Sequence, residues 1–131
     1  MAFDTKMKIL IVDDMQTMRK ILKNMLMKMG CNDIHEAPDG IPALQMIKEA
    51  HEAGVPYKFI MSDWNMPGMT GLDLLKNLRA DDNFKKLPFL MITAEGEQAN
   101  VLTAVKAGVS NFVVKPFSIN VLQEKIFKIF P

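Results

Sequence analysis

The chain has one cysteine, Cys31, so no disulfide can form within it, and a reducing compartment such as the cytoplasm is the expected home. It has almost no net charge: 16 Lys and Arg stand against 15 Asp and Glu, leaving +1. Proteins that bind nucleic acid usually carry a strongly basic face, so that class is disfavoured. No apolar run approaches the roughly 20 residues of a membrane-spanning helix. The N-terminal MAFDTKMK lacks the apolar segment of a secretory signal. Low-complexity tracts, linker-like stretches and internal repeats are also missing. Tryptophan occurs once, at Trp64.

What is present fits a single domain spanning residues 1–131, with 49% hydrophobic and 24% charged residues. The 12 methionines read mostly as adaptable core filler. Short apolar runs alternate with longer amphipathic ones. KILIV (8–12), IHEA (34–37), FIMSD (59–63), FLMIT (89–93) and NFVV (111–114) read as strands. Between them lie helical patterns. The first carries Met18, Ile21, Leu22, Met25, Leu26 and Met29 on one face, with Arg19, Lys20, Lys23 and Lys28 on others, and stops at Gly30. The second runs from Ile41 to Ala53. The third runs from Gly71 to Ala80, with Leu72, Leu75 and Leu78 as its stripe. The fourth runs from Glu97 to Ala107, and a fifth, capped by Ser118, runs almost to Pro131. Leu122, Ile126, Ile129 and Phe130 form most of the inward stripe of that last helix, leaving Phe127 for the surface. Five strands alternating with five helices predict an α/β fold, a doubly wound parallel sheet with helices on both faces.

In such sheets the functional crevice lies outside the carboxyl ends of the strands. Asp13 and Asp14 follow the first strand, Asp63 ends the third, Thr93 ends the fourth and Lys115 follows the fifth. Taken singly, each has an ordinary reading as a turn, cap or solvated residue, and Asp13 and Asp14 could simply favour the start of the first helix. Taken together at one edge, they form three carboxylates, a hydroxyl and an ammonium in one crevice. Two carboxylates about 4 Å apart repel by roughly 4 kcal/mol at an effective dielectric near 20. Three call for a cation, and Mg²⁺ suits oxygen ligands while leaving room for a phosphoryl oxygen. With Lys115 and Thr93 beside it, such a pocket can hold a transferring phosphoryl group, and a central carboxylate is a plausible nucleophile.

IVDD (11–14), SDWNMPGMTG (62–71), MITAEG (91–96) and VVKPF (113–117) closely resemble the receiver domain of bacterial two-component response regulators, over essentially the whole chain. DWNMP with TAE is most similar to the single-domain receivers of chemotaxis. The resemblance implies a flavodoxin-like sheet of strand order 2-1-3-4-5. It implies Asp63 as phosphoacceptor, with Asp13, Asp14, Asp63 and the backbone carbonyl of Asn65 as ligands of Mg²⁺. It makes Thr93 the switch hydroxyl and Lys115 the phosphoryl-binding lysine, with a cis Lys115–Pro116 bond. Asn65 and Glu95 fall at positions that modulate loss of the phosphoryl group. Phe112 stands where chemotaxis receivers usually carry tyrosine, which removes a hydroxyl but keeps the ring.

The sequence reaches Pro131 with no attached output domain, so the expected output is a surface read by another protein. In the family this surface joins the fourth helix, fifth strand and fifth helix; here it would include Val101, Val105, Val109, Phe112, Val114 and Lys125. The implied partners are a histidine kinase, a flagellar motor switch protein and a phosphatase, with no nucleic acid or membrane and with the protein a monomer. The chain is then a phosphoacceptor rather than an enzyme with a separate substrate. Within the family a phosphate sink that drains a kinase without reaching the motor is the alternative. A flavodoxin-like cofactor protein fits poorly, because Asp13 and Asp14 would repel a flavin phosphate. An aspartyl-phosphate phosphatase shares nucleophile and metal, but usually has a second Asp where Asn65 stands.

Overall fold

The computed structural model describes residues 3–94 and 98–131. Its elements alternate without exception: β1 Ile9–Val12, α1 Gln16–Lys28, β2 Ile34–Ala37, α2 Gly40–Glu52, β3 Phe59–Asp63, α3 Gly71–Arg79, β4 Phe89–Ala94, α4 Gln98–Lys106, β5 Asn111–Lys115 and α5 Ile119–Ile129. All strand pairings are parallel and the order is β2-β1-β3-β4-β5, as expected.

Side chains of successive strand residues point to opposite faces, and here both faces are covered. Leu10, Val12 and Ile60 pack with Ala43 and Ile47 of α2, with Leu74, Leu75 and Leu78 of α3 and with Ala104 of α4. Ile9, Ile11, Phe59 and Met61 face the other way, onto Leu22 and Leu26 of α1 and Leu122 and Ile126 of α5. This double burial is why the inner strands β1, β3 and β4 read as near-continuous apolar runs, while the edge strands β2 and β5 carry polar residues.

Local signals set most helix ends. Asp39, Thr70 and Ser118 cap α2, α3 and α5 by accepting the N–H of Ile41, Asp73 and Val121. Gly30, Gly54 and Gly108 follow their helices with positive φ.

Several details differ from the periodicity. Ile21 is exposed, and Met18, Met25 and Met29 are only half-buried, because Leu22 and Leu26 alone reach the centre of the sheet. On α3 the buried leucines are 74, 75 and 78, while Leu72 is half-buried. Ile129 is half-buried, and Phe130 is buried against Phe59. Four of the methionines are buried core, at 7, 61, 66 and 91, whereas Met15 and Met27 are exposed. Glu97, the expected start of α4, lies outside the described residues.

Candidate functional site

The crevice at the carboxyl edge is built around Asp13, the residue after β1. It is fully buried, and three of its four polar groups are fixed. Its N–H donates to the Ala37 carbonyl at 3.1 Å, continuing the ladder onto β2. Its Oδ1 accepts the Met15 N–H at 2.9 Å, just before α1 begins. Its carbonyl accepts from Arg19 Nη1 at 2.7 Å. Asp13 Oδ2 is left, buried without a hydrogen bond among the described residues.

Burial pushes the Asp13 carboxyl up to about 6; the Met15 N–H holds it down, the Asp63 charge raises it, Lys115 lowers it and Asp14 raises it. The N-cap of α1 is Met15, which makes no side-chain cap bond, and no acidic residue sits in the first turn, so the Asp13 side chain reaches the start of the helix through the Met15 N–H that its Oδ1 accepts.

Asp63 is the last residue of β3 and is buried with its neighbours. Its backbone is held tightly. Ser62 Oγ donates to the Asp63 carbonyl at 2.9 Å. Gly71, which opens α3, packs so closely on that carbonyl that a Cβ would overlap it. Gly71 N–H also donates to the Trp64 carbonyl at 2.9 Å, and Trp64 N–H donates to Ile92 at 2.9 Å. The loop after Asp63 is therefore tied to both α3 and β4, and Trp64 is buried within it.

One oxygen from each of Asp13, Asp14 and Asp63 lies within 4.8 Å of the other two. Asp14 is exposed, so the cluster opens to solvent on that side. Lys115 reaches the cluster from β5. It is the last residue of β5, paired with Ala94, rather than a residue beyond the strand. Its Nζ lies 3.0 Å from Asp63 Oδ1 and 3.9 Å from Asp13 Oδ2. The Lys115–Pro116 bond is cis. Thr93 on β4 is buried, and its Oγ1 has no hydrogen-bond partner among the described residues.

An orphaned buried carboxylate oxygen beside two more carboxylates is a donor set that fits a hard divalent cation, and Mg²⁺ in particular. One ammonium does not neutralise three carboxylates. Asn65 is exposed in the loop that follows Asp63. Glu95 lies outside the described residues.

The residues expected at a partner surface divide by exposure. Val105 and Val114 are exposed, while Val101, Val109 and Phe112 are half-buried, the last two packing on the core. Lys125 Nζ sits 5.1 Å from the centre of the Phe112 ring, a contact between β5 and α5 that spacing did not reveal. Asn111 reinforces it, donating to the Lys125 carbonyl at 3.3 Å. Sequence reading also missed Arg19, Ser62 and Gly71 as parts of the site. For Arg19 the available sign is that helical side chains lean toward the N-terminus, which aims it at the Asp13 turn.

The family model described as response regulator receiver domain matches residues 9–127. The chain is 52% identical over 124 residues to chemotaxis protein CheY-3 of Vibrio cholerae, covering 95% of this chain and 92% of that one. It is 52% identical over 124 residues to chemotaxis protein CheY of Pseudomonas aeruginosa, covering 95% and 96%. The structure of chemotaxis response regulator CheY4 of Vibrio cholerae superposes with a TM-score of 0.83 at 30% identity, covering 95% and 98%. The receiver domain of the sensor histidine kinase PA1611 of Pseudomonas aeruginosa, solved with a magnesium ion coordinated in its active-site cleft, superposes with a TM-score of 0.80 at 25% identity, covering 95% and 97%. With the carboxylate cluster on the carboxyl edge of a 2-1-3-4-5 sheet, these matches show that the chain belongs to the response regulator receiver domain family of two-component signalling.

Proposed function

We propose that this receiver accepts a phosphoryl group from a histidine kinase on Asp63 and thereby changes its binding to a target, the flagellar motor switch in chemotaxis. The observation that carries the reading is the convergence of Asp13, Asp14 and Asp63 within 4.8 Å, with Lys115 Nζ 3.0 Å from the Asp63 carboxylate. In the transfer an Asp63 oxygen bonds to phosphorus as the phosphohistidine N–P bond breaks, and the imidazole nitrogen keeps that electron pair. Water later attacks phosphorus, restoring the carboxylate and releasing inorganic phosphate. Asp13, Asp14, Asp63 and the Asn65 carbonyl would hold Mg²⁺, which when bound supplies charge neutralisation for the phosphoryl oxygens. Lys115 offers the phosphoryl group a fixed positive charge, and the unpaired Thr93 hydroxyl a hydrogen bond. Asn65 and Glu95 modulate attack by water. The chain acts as a phosphoacceptor and not as an enzyme on a separate substrate.

The relatives named as chemotaxis proteins support the motor switch as target. The face of Val101, Val105, Val109, Phe112, Val114 and Lys125 would receive it. Inverting a two-state population from 1:99 to 99:1 takes roughly 5.5 kcal/mol of differential stabilisation. The phosphoryl contacts provide part of this, and target binding the rest by linkage.

The test is incubation with Mg²⁺ and acetyl phosphate, followed by intact mass and Trp64 fluorescence. One base-labile phosphoryl adduct is expected, absent in Asp63→Asn. An unchanged mass under saturating donor overturns the phosphoacceptor reading. A phosphorylated protein that fails to bind a motor-switch peptide overturns the motor reading and leaves a phosphate sink.

A further inference from the structure

Arg19 lies outside the carboxylate cluster, yet it is bonded to the backbone that carries it. Its side chain is 16% exposed and reaches back from the first full turn of α1. Nη1 donates to the Asp13 carbonyl at 2.7 Å, and Nε donates to Glu36 Oε1 on β2 at 3.1 Å. Glu36 Oε2 is also 4.0 Å from Lys23 Nζ. A guanidinium is planar and presents its donors in a fixed fork, so anchoring one edge on Glu36 sets the direction of the other.

The Asp13 carbonyl belongs to the peptide plane between Asp13 and Asp14. Fixing that oxygen fixes how the chain enters Asp14. Together with the Ala37 and Met15 contacts, it leaves Asp13 only Oδ2 free to act in the crevice. We propose that Arg19, held by Glu36, is a positioning residue that locks the Asp13–Asp14 peptide so that both carboxylates converge on Asp63.

Electrostatics alone predicts the opposite of positioning, which makes the idea testable. Removing a cation beside acidic ligands should strengthen binding of a divalent cation. Loss of positioning should weaken it, as loss of outer-shell partners of metal ligands typically does.

The first measurement is amide hydrogen exchange on the metal-free protein in EDTA. Arg19→Ala should speed exchange of the Met15 N–H by about fivefold or more, with the α5 amides unchanged. The second is Mg²⁺ titration followed by Trp64 fluorescence. Arg19→Ala should weaken affinity about tenfold. Arg19→Lys, which keeps the charge but not the fork, should recover only part. Glu36→Ala should act in the same direction, and adding it to Arg19→Ala should cost little more, because the two residues work as one unit.

Unaltered Met15 exchange in Arg19→Ala, or Mg²⁺ affinity equal to or above wild type, overturns the proposal. The affinity arm rests on the magnesium reading given above, whereas the exchange arm does not. A wild-type protein that fails to take Mg²⁺ would sink that reading, and the exchange result would still decide the role of Arg19.

Discussion

The Lys115 ammonium stands 3.0 Å from Asp63 Oδ1, closer than the 3.9 Å to Asp13 Oδ2. It thus occupies the same electrostatic position toward Asp63 that a divalent cation would seek. On the proposed reading, lysine and metal compete for the carboxylates but cooperate once a phosphoryl group is attached. Lys115→Met should therefore tighten Mg²⁺ binding by about tenfold, equivalent to ~1.4 kcal/mol, while slowing phosphoryl uptake from acetyl phosphate. Trp64 fluorescence titration and time-resolved intact mass separate the two effects. A variant that binds Mg²⁺ more weakly would show that the two cations do not share these oxygens.

Asp13 should make the stability of the metal-free protein depend on pH. Its carboxyl is raised from 3.8 to about 6, chiefly by burial. The folded state therefore holds this proton more tightly than the unfolded chain between those values. Stability from this group is greatest below pH 4, falls as pH rises toward 6, and stays low above it. The full difference is about 3 kcal/mol. In EDTA, Asp13→Asn should be more stable than wild type at pH 7.5, and the gap should close by pH 4. Urea melts at both pH values check this, and a constant gap would mean that the carboxylate charge is not its source.

Gly71 and Gly54 should respond differently to alanine. At Gly71 a Cβ overlaps the Asp63 carbonyl, which is backbone and cannot swing aside. Gly71→Ala should cost about 3 kcal/mol, at the upper end for overpacking, and should also impair phosphorylation. Gly54 has φ +79 with nothing within 4 Å of a built Cβ, so only conformational strain applies. Gly54→Ala should cost ~1 kcal/mol and leave phosphorylation untouched. Equal losses at both sites would remove the packing argument for Gly71.

Phe112 is clamped between the core and the Lys125 ammonium. On the proposed reading, phosphorylation at Asp63 is felt at Phe112 through packing, because this ring carries no hydroxyl. Phe112→Tyr should leave the phosphorylation dependence of motor-switch peptide binding within about twofold. Phe112→Ala should abolish that dependence. Lys125→Met should cost ~0.5–1 kcal/mol of stability by removing the cation over the ring. A large change in Phe112→Tyr would return the missing hydroxyl to the mechanism.

The strand order and the edge that gathers Asp13, Asp63, Thr93 and Lys115 could be read from the sequence, the order by resemblance and the edge by alternation. Buried parallel strands make continuous apolar runs, and turn residues punctuate them. Finer features could not be read this way. Periodicity placed six residues on one face of α1, but a helix lying on a flat sheet buries only its central line, so Leu22 and Leu26 went in and Ile21 stayed out. Arg19 falls on the polar face by spacing, but its bonds run to the Asp13 backbone carbonyl and to Glu36 on β2. Neither partner leaves a trace in hydrophobic spacing. The apolar run of β5 ends at Val114, but the ladder with Ala94 carries the strand one residue further, to Lys115.

The placement of Lys115 on the last strand has a consequence for synthesis. Ribosomes make chains from the N-terminus, so Asp13, Asp14 and Asp63 all emerge before the ammonium that pairs with Asp63. The sheet cannot close on β4 until β5 follows, and the cationic wall of the crevice arrives with it. A nascent chain that ends before Lys115 thus holds the acidic groups without their lysine, and on the proposed reading takes up a phosphoryl group from small donors only slowly. Charge balance at the crevice is therefore completed only when β5 has joined the sheet.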